Sequence, residues 1–497
     1  MNARRLVILV LSISIVSCMA NPEPPTGSNG FRFPTSNPSP APEVTSTSMP
    51  TATASETLPT EPQPTPSTGW FELIGHTPLL NRGMNSALAV YGNYAYVGSR
   101  TDGSHPDAGV LVVDISNPTN PQVVYQIGPP EEGNLGQTSR ELRVWPEQEL
   151  LLVMNFECEA GLHDCHPYTA PPNINCYDIS GANAAAPKLI TTYLLPRTPH
   201  EFFLWDDPNM AGRALIYLST PGIIGDNLLV IDISSARQGA LHEVSSWNAP
   251  RGPFNGTLHS LSLSSDGRRA YLAYLRNGFM ILDTSQIAQN IPNPKIRLLT
   301  PPESWSQWPG PGPHSAVKLV GKPYVLVTEE VYARCPWGWA TLIDITDEAR
   351  PSIVAEYKLD PYNQVAYCTQ VVPETYAFTS FASHNPTVTR NLAFISWHSG
   401  GLQGVSIEHP LQPRQVAEFL PEPLPSVGTE DPALSSGQNK VVMWSYPIIN
   451  DGLIYVVDVR NGLYILKYHG PFEAEVAGIR FLESNSNLGE AQWWESP

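Results

Sequence analysis

Basic residues are scarce in this sequence. Its 497 residues include 28 Lys and Arg against 46 Asp and Glu, a formal net charge of -18. No basic stripe interrupts this acidic balance, and phosphate backbones or anionic lipid surfaces are bound through clustered Lys and Arg. We therefore expect no nucleic acid partner and no binding to an anionic lipid surface through charge.

Several enzyme signatures are also missing. The chain has no nucleophile elbow, phosphate-binding loop, dinucleotide fingerprint or zinc-protease helix. Calcium loops of the form Asp-x-Asp-x-Asp-Gly are absent as well. The sequence thus gives no support to these familiar classes of enzyme and metal site.

The sequence also lacks long apolar runs. A short apolar run lies at the N-terminus. It follows two arginines, extends from Leu6 to Val16 and precedes Ser17 and Cys18, which is the layout of a secretory signal. The ending IVSC resembles a bacterial lipobox. We expect residues 1–17 to be a lipoprotein signal peptide and Cys18 to be lipidated, which would place a bacterial protein outside the cytoplasm on its membrane. Ordinary secretion and an uncleaved anchor are the alternatives.

A segment rich in Pro, Ser and Thr follows the cysteine. Residues 19–68 contain almost no large apolar side chains, so they cannot bury enough surface to offset their chain entropy. We expect residues 18–68 to be an extended tether between the membrane and a folded head.

One phrase then recurs about every 40 to 60 residues. Its variants include GVLVVDISNPTNP (109–121), NLLVIDIS (227–234) and NGLYILKY (461–468). Each unit has four short β-type segments separated by turn residues, which describes a blade of a β-propeller. Seven units begin near the following residues: Asn85, Ser139, Pro199, Leu258, Pro313, Ser383 and Trp444.

The seventh unit lacks its fourth strand. GWFELIGHT (69–77) stands alone before the first unit, and its pairing with the last unit would close the ring and remove exposed sheet edges. The predicted fold is therefore all-β, a seven-bladed propeller of four-stranded antiparallel blades over residues 69–470, closed by an N-terminal strand. Residues 471–497 would form a C-terminal tail.

The repeated phrase resembles a known family. VLVVDISNPTNP and LLVIDIS look like the LVIVD repeat of bacterial surface β-propellers, and the segment SHNPTVTRNLAFISWHSGGLQGVSI is similar to that family. Ser406 departs from the pattern, which normally has Asp there. The resemblance implies a secreted or anchored propeller, but the family as a whole carries no settled activity.

Histidines occupy equivalent positions in four consecutive units. They are His200, His259, His314 and His384, each at the start of an innermost strand. Propeller geometry places all four at the mouth of the central channel, where they could hold iron, copper or zinc. Carotenoid-cleaving oxygenases have a four-histidine iron centre in a propeller, a similarity of architecture only. The alternative is packing and hydrogen bonding between blades. If a metal binds, Glu201 and Asn385 would orient the histidines that precede them.

The repeated aspartates invite a calcium interpretation. Their phrase, Asp-apolar-Ser or Asp-apolar-Thr before a turn, instead favours side-chain oxygens that accept backbone N–H groups at a strand end. The five positions are Asp114, Asp178, Asp232, Asp283 and Asp344.

Five cysteines remain besides Cys18. Export makes disulfides plausible, and an odd number leaves one thiol. Cys335 and Cys368 both fall on the channel-mouth face, so we pair them. Cys158 with Cys165 is the first choice for a second bond, although Cys176 could replace either. A metal set of Cys158, His163, Cys165 and His166 is a further alternative, without a common zinc spacing.

Aromatic residues collect on the channel-mouth face. They are Trp305, Trp308, Trp337, Trp339 and Trp397, with His398 beside the last. Exposed rings around a depression often bind sugars or proteins, but the same rings can pack loops onto blades. We predict a monomeric, noncatalytic module that binds protein or glycan ligands; a metal-dependent oxidase or oxygenase using the four histidines is the alternative.

Overall fold

Seven antiparallel sheets make up the part of the chain that the structure, a computed structural model, describes. The described residues are 69–128, 135–158, 165–166, 170–222, 225–250, 256–305, 312–332, 335–360, 362–363, 368 and 378–489. The predicted signal peptide (1–17), Cys18 and the tether (18–68) lie outside these ranges.

Strand β1 (Trp70–Thr77) precedes the first blade, and the next three blades are consecutive four-stranded sheets. The strands of the first blade are β2 Asn85–Tyr91, β3 Tyr94–Ser99, β4 Val110–Asp114 and β5 Gln122–Ile127. Those of the second are β6 Gln137–Trp145, β7 Leu150–Glu157, β8 Asn173–Asp178 and β9 Lys188–Leu194. Those of the third are β10 Phe202–Asp206, β11 Ala214–Ser219, β12 Leu228–Asp232 and β13 His242–Trp247.

Three more blades repeat this order. The fourth has β14 Thr257–Leu263, β15 Arg269–Leu275, β16 Gly278–Asp283 and β17 Arg297–Leu298, with helix α1 (Ser285–Ala288) before its last strand. The fifth has β18 Pro313–Lys318, β19 Tyr324–Glu329, β20 Ala340–Asp344 and β21 Ser352–Tyr357. The sixth has β22 Pro386–Val388, β23 Leu392–Ser396, β24 Leu402–Ser406 and β25 Arg414–Phe419.

The seventh blade joins the two ends of the propeller. Its strands are β26 Ile448–Asn450, β27 Leu453–Asp458 and β28 Gly462–His469. Strand β1 pairs antiparallel with β28 as the outermost strand of this blade. The structure therefore confirms the seven-bladed propeller and its closure by an N-terminal strand.

Apolar contacts hold neighbouring blades together. Each of seven buried clusters draws its residues from two adjacent sheets, including the last and the first. Trp205 of the third blade, for example, packs with Leu263 and Met280 of the fourth. The inner strands are buried on both faces because each sheet is packed between two others, whereas the outermost strands are largely exposed.

The repeated aspartates stabilise the end of the third strand in five blades. A carboxylate oxygen of each accepts a hydrogen bond from the backbone N–H two residues later, at 2.7 to 3.0 Å. The structure therefore confirms the strand-end role expected for Asp114, Asp178, Asp232, Asp283 and Asp344.

The C-terminal segment crosses the end of the channel opposite the histidines. After helix α2 (Glu473–Ala477), strand β29 (Phe481–Leu482) pairs with the innermost strand β26. The main-chain oxygen of Asn485 then accepts from the N–H of Leu204 at 3.2 Å, and Ser486 is fully buried. The segment thus lies against the far ends of the inner strands. Among the described residues, no helix is long and apolar enough to cross a membrane.

Candidate metal centre

The four histidines predicted at the channel mouth meet in the structure. Ring centroids are 4.2 Å apart for His200 and His259, 3.9 Å for His259 and His314, and 4.3 Å for His314 and His384. Each residue stands at or just before the start of an innermost strand. Since inner strands of a propeller all begin on one face around the axis, equivalent positions in consecutive blades become neighbours.

Two further residues complete the cluster, and neither was predicted from the sequence to belong to it. Glu330 follows β19 directly, and His398 follows β23. Carboxylate oxygens of Glu330 lie 3.4 Å from Nε2 of His314, 3.4 Å from Nε2 of His384 and 3.3 Å from Nε2 of His398. The connection from the second to the third strand opens on the same face as the start of the inner strand, so topology could have suggested both.

The cluster is enclosed by protein. His259 is 4% exposed, His314 and His384 are each 2% exposed, and His398 is fully buried. The Glu330 side chain is 8% exposed. Polar groups enclosed to this degree are stable only when hydrogen bonds or ions compensate for lost solvent.

Hydrogen bonds to carbonyl groups fix the proton position on two of the rings. Nδ1 of His384 lies 2.7 Å from the main-chain oxygen of Trp444, and Nδ1 of His259 lies 3.1 Å from that of His314. A carbonyl oxygen only accepts, so Nδ1 carries the hydrogen in each ring. Nε2 of neutral His384 therefore presents a lone pair.

This lone pair faces the Glu330 carboxylate, which is also an acceptor. Two acceptors 3.4 Å apart repel each other unless a proton or a cation lies between them. Among the described residues, Oε1 of Glu330 and Nε2 of His398 are buried and form no hydrogen bond. These two buried atoms lie 3.3 Å apart, a spacing that suits two ligands of one cation.

Burial keeps the imidazoles in the form that binds metals. Desolvation lowers the pKa of His259 to about 4. It also lowers the pKa values of His200, His314 and His384 well below the ordinary value. Neutral imidazole has a free lone pair and is a common metal ligand.

Two groups of ligand atoms are close enough to hold a cation. His314, Glu330 and His384 form one group and Glu201, His259 and His314 the other, with ligand atoms within 4.8 Å of one another in each. Ligands about 2.1 Å from a tetrahedral ion lie about 3.4 Å apart, which is the spacing of Glu330 from its two histidines.

The residues that follow the histidines form a second polar layer deeper in the channel. Ser315 Oγ contacts Nδ1 of His314 at 2.9 Å and donates to the Asn385 side chain at 3.1 Å. Asn385 also donates to the main-chain oxygen of Trp444, which His384 contacts as well. Asn385 thus helps to fix the environment of His384, whereas Glu201 belongs to the second ligand group.

The described tryptophans of the predicted aromatic face are buried. Trp305 is 5% exposed, Trp339 is 8% exposed, and Trp337 and Trp397 are fully buried. Their rings pack loops onto the blades, so they offer no exposed platform, and His398 belongs to the histidine cluster. Trp308 lies outside the described residues. Ligand binding at this face stays a prediction.

Four of the cysteines form the two disulfides predicted from the sequence. Cys158 pairs with Cys165 and Cys335 pairs with Cys368. Cys176 is free and buried, and burial raises the pKa of its thiol to about 12. His163 lies outside the described residues, and a disulfide that consumes two of its thiols rules out the alternative thiolate metal set. Two disulfides indicate an oxidising, extracytoplasmic setting.

Comparisons with known proteins gave one family match and a set of similar solved structures. Residues 82–127 match the LVIVD repeat family. No curated protein matches the chain in sequence. Similar solved structures include a periplasmic gluconolactonase of Pseudomonas aeruginosa, with 13% identity, TM-score 0.45 and coverage of 73% of this chain and 92% of that one. Raptor of Chaetomium thermophilum has 12% identity and TM-score 0.48, over 82% of this chain and 30% of that one. With its seven sheets and its matched segment, the chain is a seven-bladed β-propeller that carries an LVIVD repeat.

Proposed function

We propose that this propeller is an extracytoplasmic metalloenzyme, an oxidase or oxygenase with iron held by His314, Glu330 and His384. The observation that carries the proposal is the lone pair on Nε2 of His384, fixed by the Trp444 carbonyl and facing the Glu330 carboxylate at 3.4 Å. A cation between them converts a repulsive contact into two bonds.

The ligand set favours iron over calcium or magnesium. Two histidines and one carboxylate with open positions are typical of non-haem ferrous oxygenases, whereas calcium and magnesium prefer oxygen ligands. His398, with Nε2 3.3 Å from Glu330, is a further ligand for the same ion. When bound in such a set, iron supplies activation of dioxygen. The protein residues hold their lone pairs in place and exclude water around the ion.

We further propose that the head is anchored in a bacterial membrane through a lipid on Cys18. Two disulfides in the head support export, because such bonds persist in oxidising compartments. The expected result is incorporation of labelled fatty acid into the full-length chain, absent in Cys18→Ser. Release of the wild type by high salt without detergent would contradict the anchor.

Metal content tests the proposed centre. Residues 19–497, here termed the soluble chain, would be purified without chelator or metal-affinity resin and analysed for metals before and after addition of Fe(II). We expect close to one or more equivalents of iron in the wild type, and at least tenfold weaker binding in Glu330→Gln. Glu329→Gln is the matched control, since Glu329 is buried next to Glu330 but accepts from Thr341.

Nitric oxide tests for open positions on the iron. We expect the iron-loaded soluble chain to give the signal of a high-spin iron nitrosyl by electron paramagnetic resonance, because three or four protein ligands leave room for a diatomic molecule. A protein that stays metal-free after Fe(II), Cu(II) and Zn(II) are offered would overturn the proposal. That result would favour the noncatalytic binding of protein or glycan.

A further inference from the structure

The polar layer beneath the histidines holds a buried carboxyl group that makes no close ion pair within the described part of the chain, although the charge of Arg143 acts on it. Glu201 is 7% exposed and makes no ion pair with Lys or Arg among the described residues. Its hydrogen-bond partners there include the Tyr446 hydroxyl, which lies 3.3 Å from Oε2 of Glu201. The neighbouring Glu141 differs, because Arg143 pairs with it at 3.1 Å. An enclosed carboxylate is costly unless a positive charge compensates it.

His314 stands between the two carboxylates. Its Nε2 is directed at Glu330, at 3.4 Å. Its Nδ1 contacts Ser315 Oγ at 2.9 Å, and the Tyr446 hydroxyl links that oxygen to Glu201 through contacts of 3.2 and 3.3 Å. Glu201 is thus connected to the inner edge of the imidazole and Glu330 to the outer edge.

His259 supplies a second nitrogen on the inner side. Its Nδ1 is committed to the His314 carbonyl, so Nε2 of the neutral ring has a lone pair. Nε2 of His200 lies 2.7 Å from that atom and donates a hydrogen bond to its lone pair, so a bound ion would displace this bond. One carboxylate and two imidazole nitrogens then form a donor set suited to a divalent transition-metal ion.

We propose that the channel holds a second divalent metal ion, bound by Glu201, His259 and His314 on the inner side of the histidine ring. The inference rests on the proposed function, because His314 belongs to both ligand groups. To bind both ions, His314 would release to solvent the Nδ1 proton that it donates to Ser315 Oγ and bridge the ions as an imidazolate. The centre would then be dinuclear, with one carboxylate for each ion. Tyr446 would position the Glu201 carboxylate.

Binding of Co(II) tests directly whether the channel holds a second metal ion. The soluble chain, stripped of metal, would be titrated with Co(II), with binding followed by calorimetry and by the visible absorption of the bound ion. We expect two equivalents in the wild type and one in Glu201→Gln. Glu330→Gln should also retain one equivalent of Co(II). Its visible absorption should be that of the inner site, and so should differ from the absorption of Glu201→Gln. Glu483→Gln is the matched control: this carboxyl is buried in the same channel but accepts from Ser486 at the far end, so two equivalents should remain.

The outcomes separate the two proposals. No bound metal in the wild type would overturn the proposed function itself. A single equivalent in the wild type, lost in Glu330→Gln and unchanged in Glu201→Gln, would leave the proposed function standing and overturn the second ion. If Glu201→Gln fails to fold, anomalous scattering from cobalt-soaked wild-type crystals would show how many ions bind and where. Two peaks, one beside Glu330 and one beside Glu201, support the inference, and one peak beside Glu330 overturns it.

Discussion

The indole ring of Trp444 lies parallel to the imidazole of His398, with an angle of 3° between the planes and 5.3 Å between ring centroids. The guanidinium carbon of Arg100 lies 4.1 Å from the centroid of the same indole, and Arg100 pairs with buried Asp431 at 3.1 Å. Trp444 therefore forms a wall of the proposed centre that is fixed by a buried ion pair.

Substitution of Trp444 should weaken metal binding without removing a ligand. We expect Trp444→Ala to reduce iron affinity by about tenfold, since loss of groups that orient ligands typically has effects of that size. Trp444→Phe should retain most of the affinity, because an aromatic ring still packs on His398. Iron titration of both variants checks this, and equal affinities for Trp444→Ala and wild type would contradict it.

The strand that closes the ring should be decisive for stability. Phe71 on β1 is 7% exposed and packs against Phe394 and Tyr468. Phe71→Ala should lower the free energy of unfolding by about 3–5 kcal/mol. Leu73 on the same strand is 51% exposed, so Leu73→Ala should change it by no more than about 0.5 kcal/mol. Urea denaturation compares the two, and similar losses would argue against the closure.

The two disulfides should contribute different amounts to the free energy of unfolding. The bond between Cys335 and Cys368 spans 33 residues and that between Cys158 and Cys165 spans 7. A longer loop loses more entropy on cross-linking, so Cys335→Ser with Cys368→Ser should cost about 3–4 kcal/mol and the other pair about 2–3 kcal/mol. Chemical denaturation of the two double variants checks the order. The reverse order would show that the entropy of the unfolded chain is not the main source of the stabilisation by these disulfides.

Asp206 should make stability depend on pH. Burial, and then the charge of Glu147, raise the pKa of its carboxyl from 3.8 to about 6. The ionised form is therefore penalised in the folded protein, and stability increases as the pH falls through about 6 because the native state takes up the proton first. Asp206→Asn removes the charge and keeps an oxygen that accepts from Nε1 of Trp145.

We expect Asp206→Asn to be more stable than wild type at pH 7.5 by about 1 kcal/mol, after allowance for solvent screening at this partly exposed site. The difference should disappear below about pH 4, where both side chains are neutral. Thermal denaturation over this pH range measures it. A constant difference at every pH would show that the substitution acts through packing.

The repeat made much of the fold predictable. GWFELIGHT (69–77) resembled a strand without a blade, and the seventh unit lacked its fourth strand, so closure followed from the pattern and the need to cover sheet edges. Glu330 was not assigned because it belongs to a connection that differs between blades. Trp337 and Trp397 were expected at an open face, but composition does not reveal whether a loop folds inward.

The sequence by itself determined the period, the four strands of each blade and the equivalence of the four histidine positions, because these depend on local alternation and turn residues. Only the tertiary structure decided that His314 and His384 would face Glu330, and that His398 would join them. The rings come from strands far apart in the chain, and their distances depend on how seven sheets pack around one axis. The closed ring brought these side chains together, and their chemistry makes them the proposed ligands.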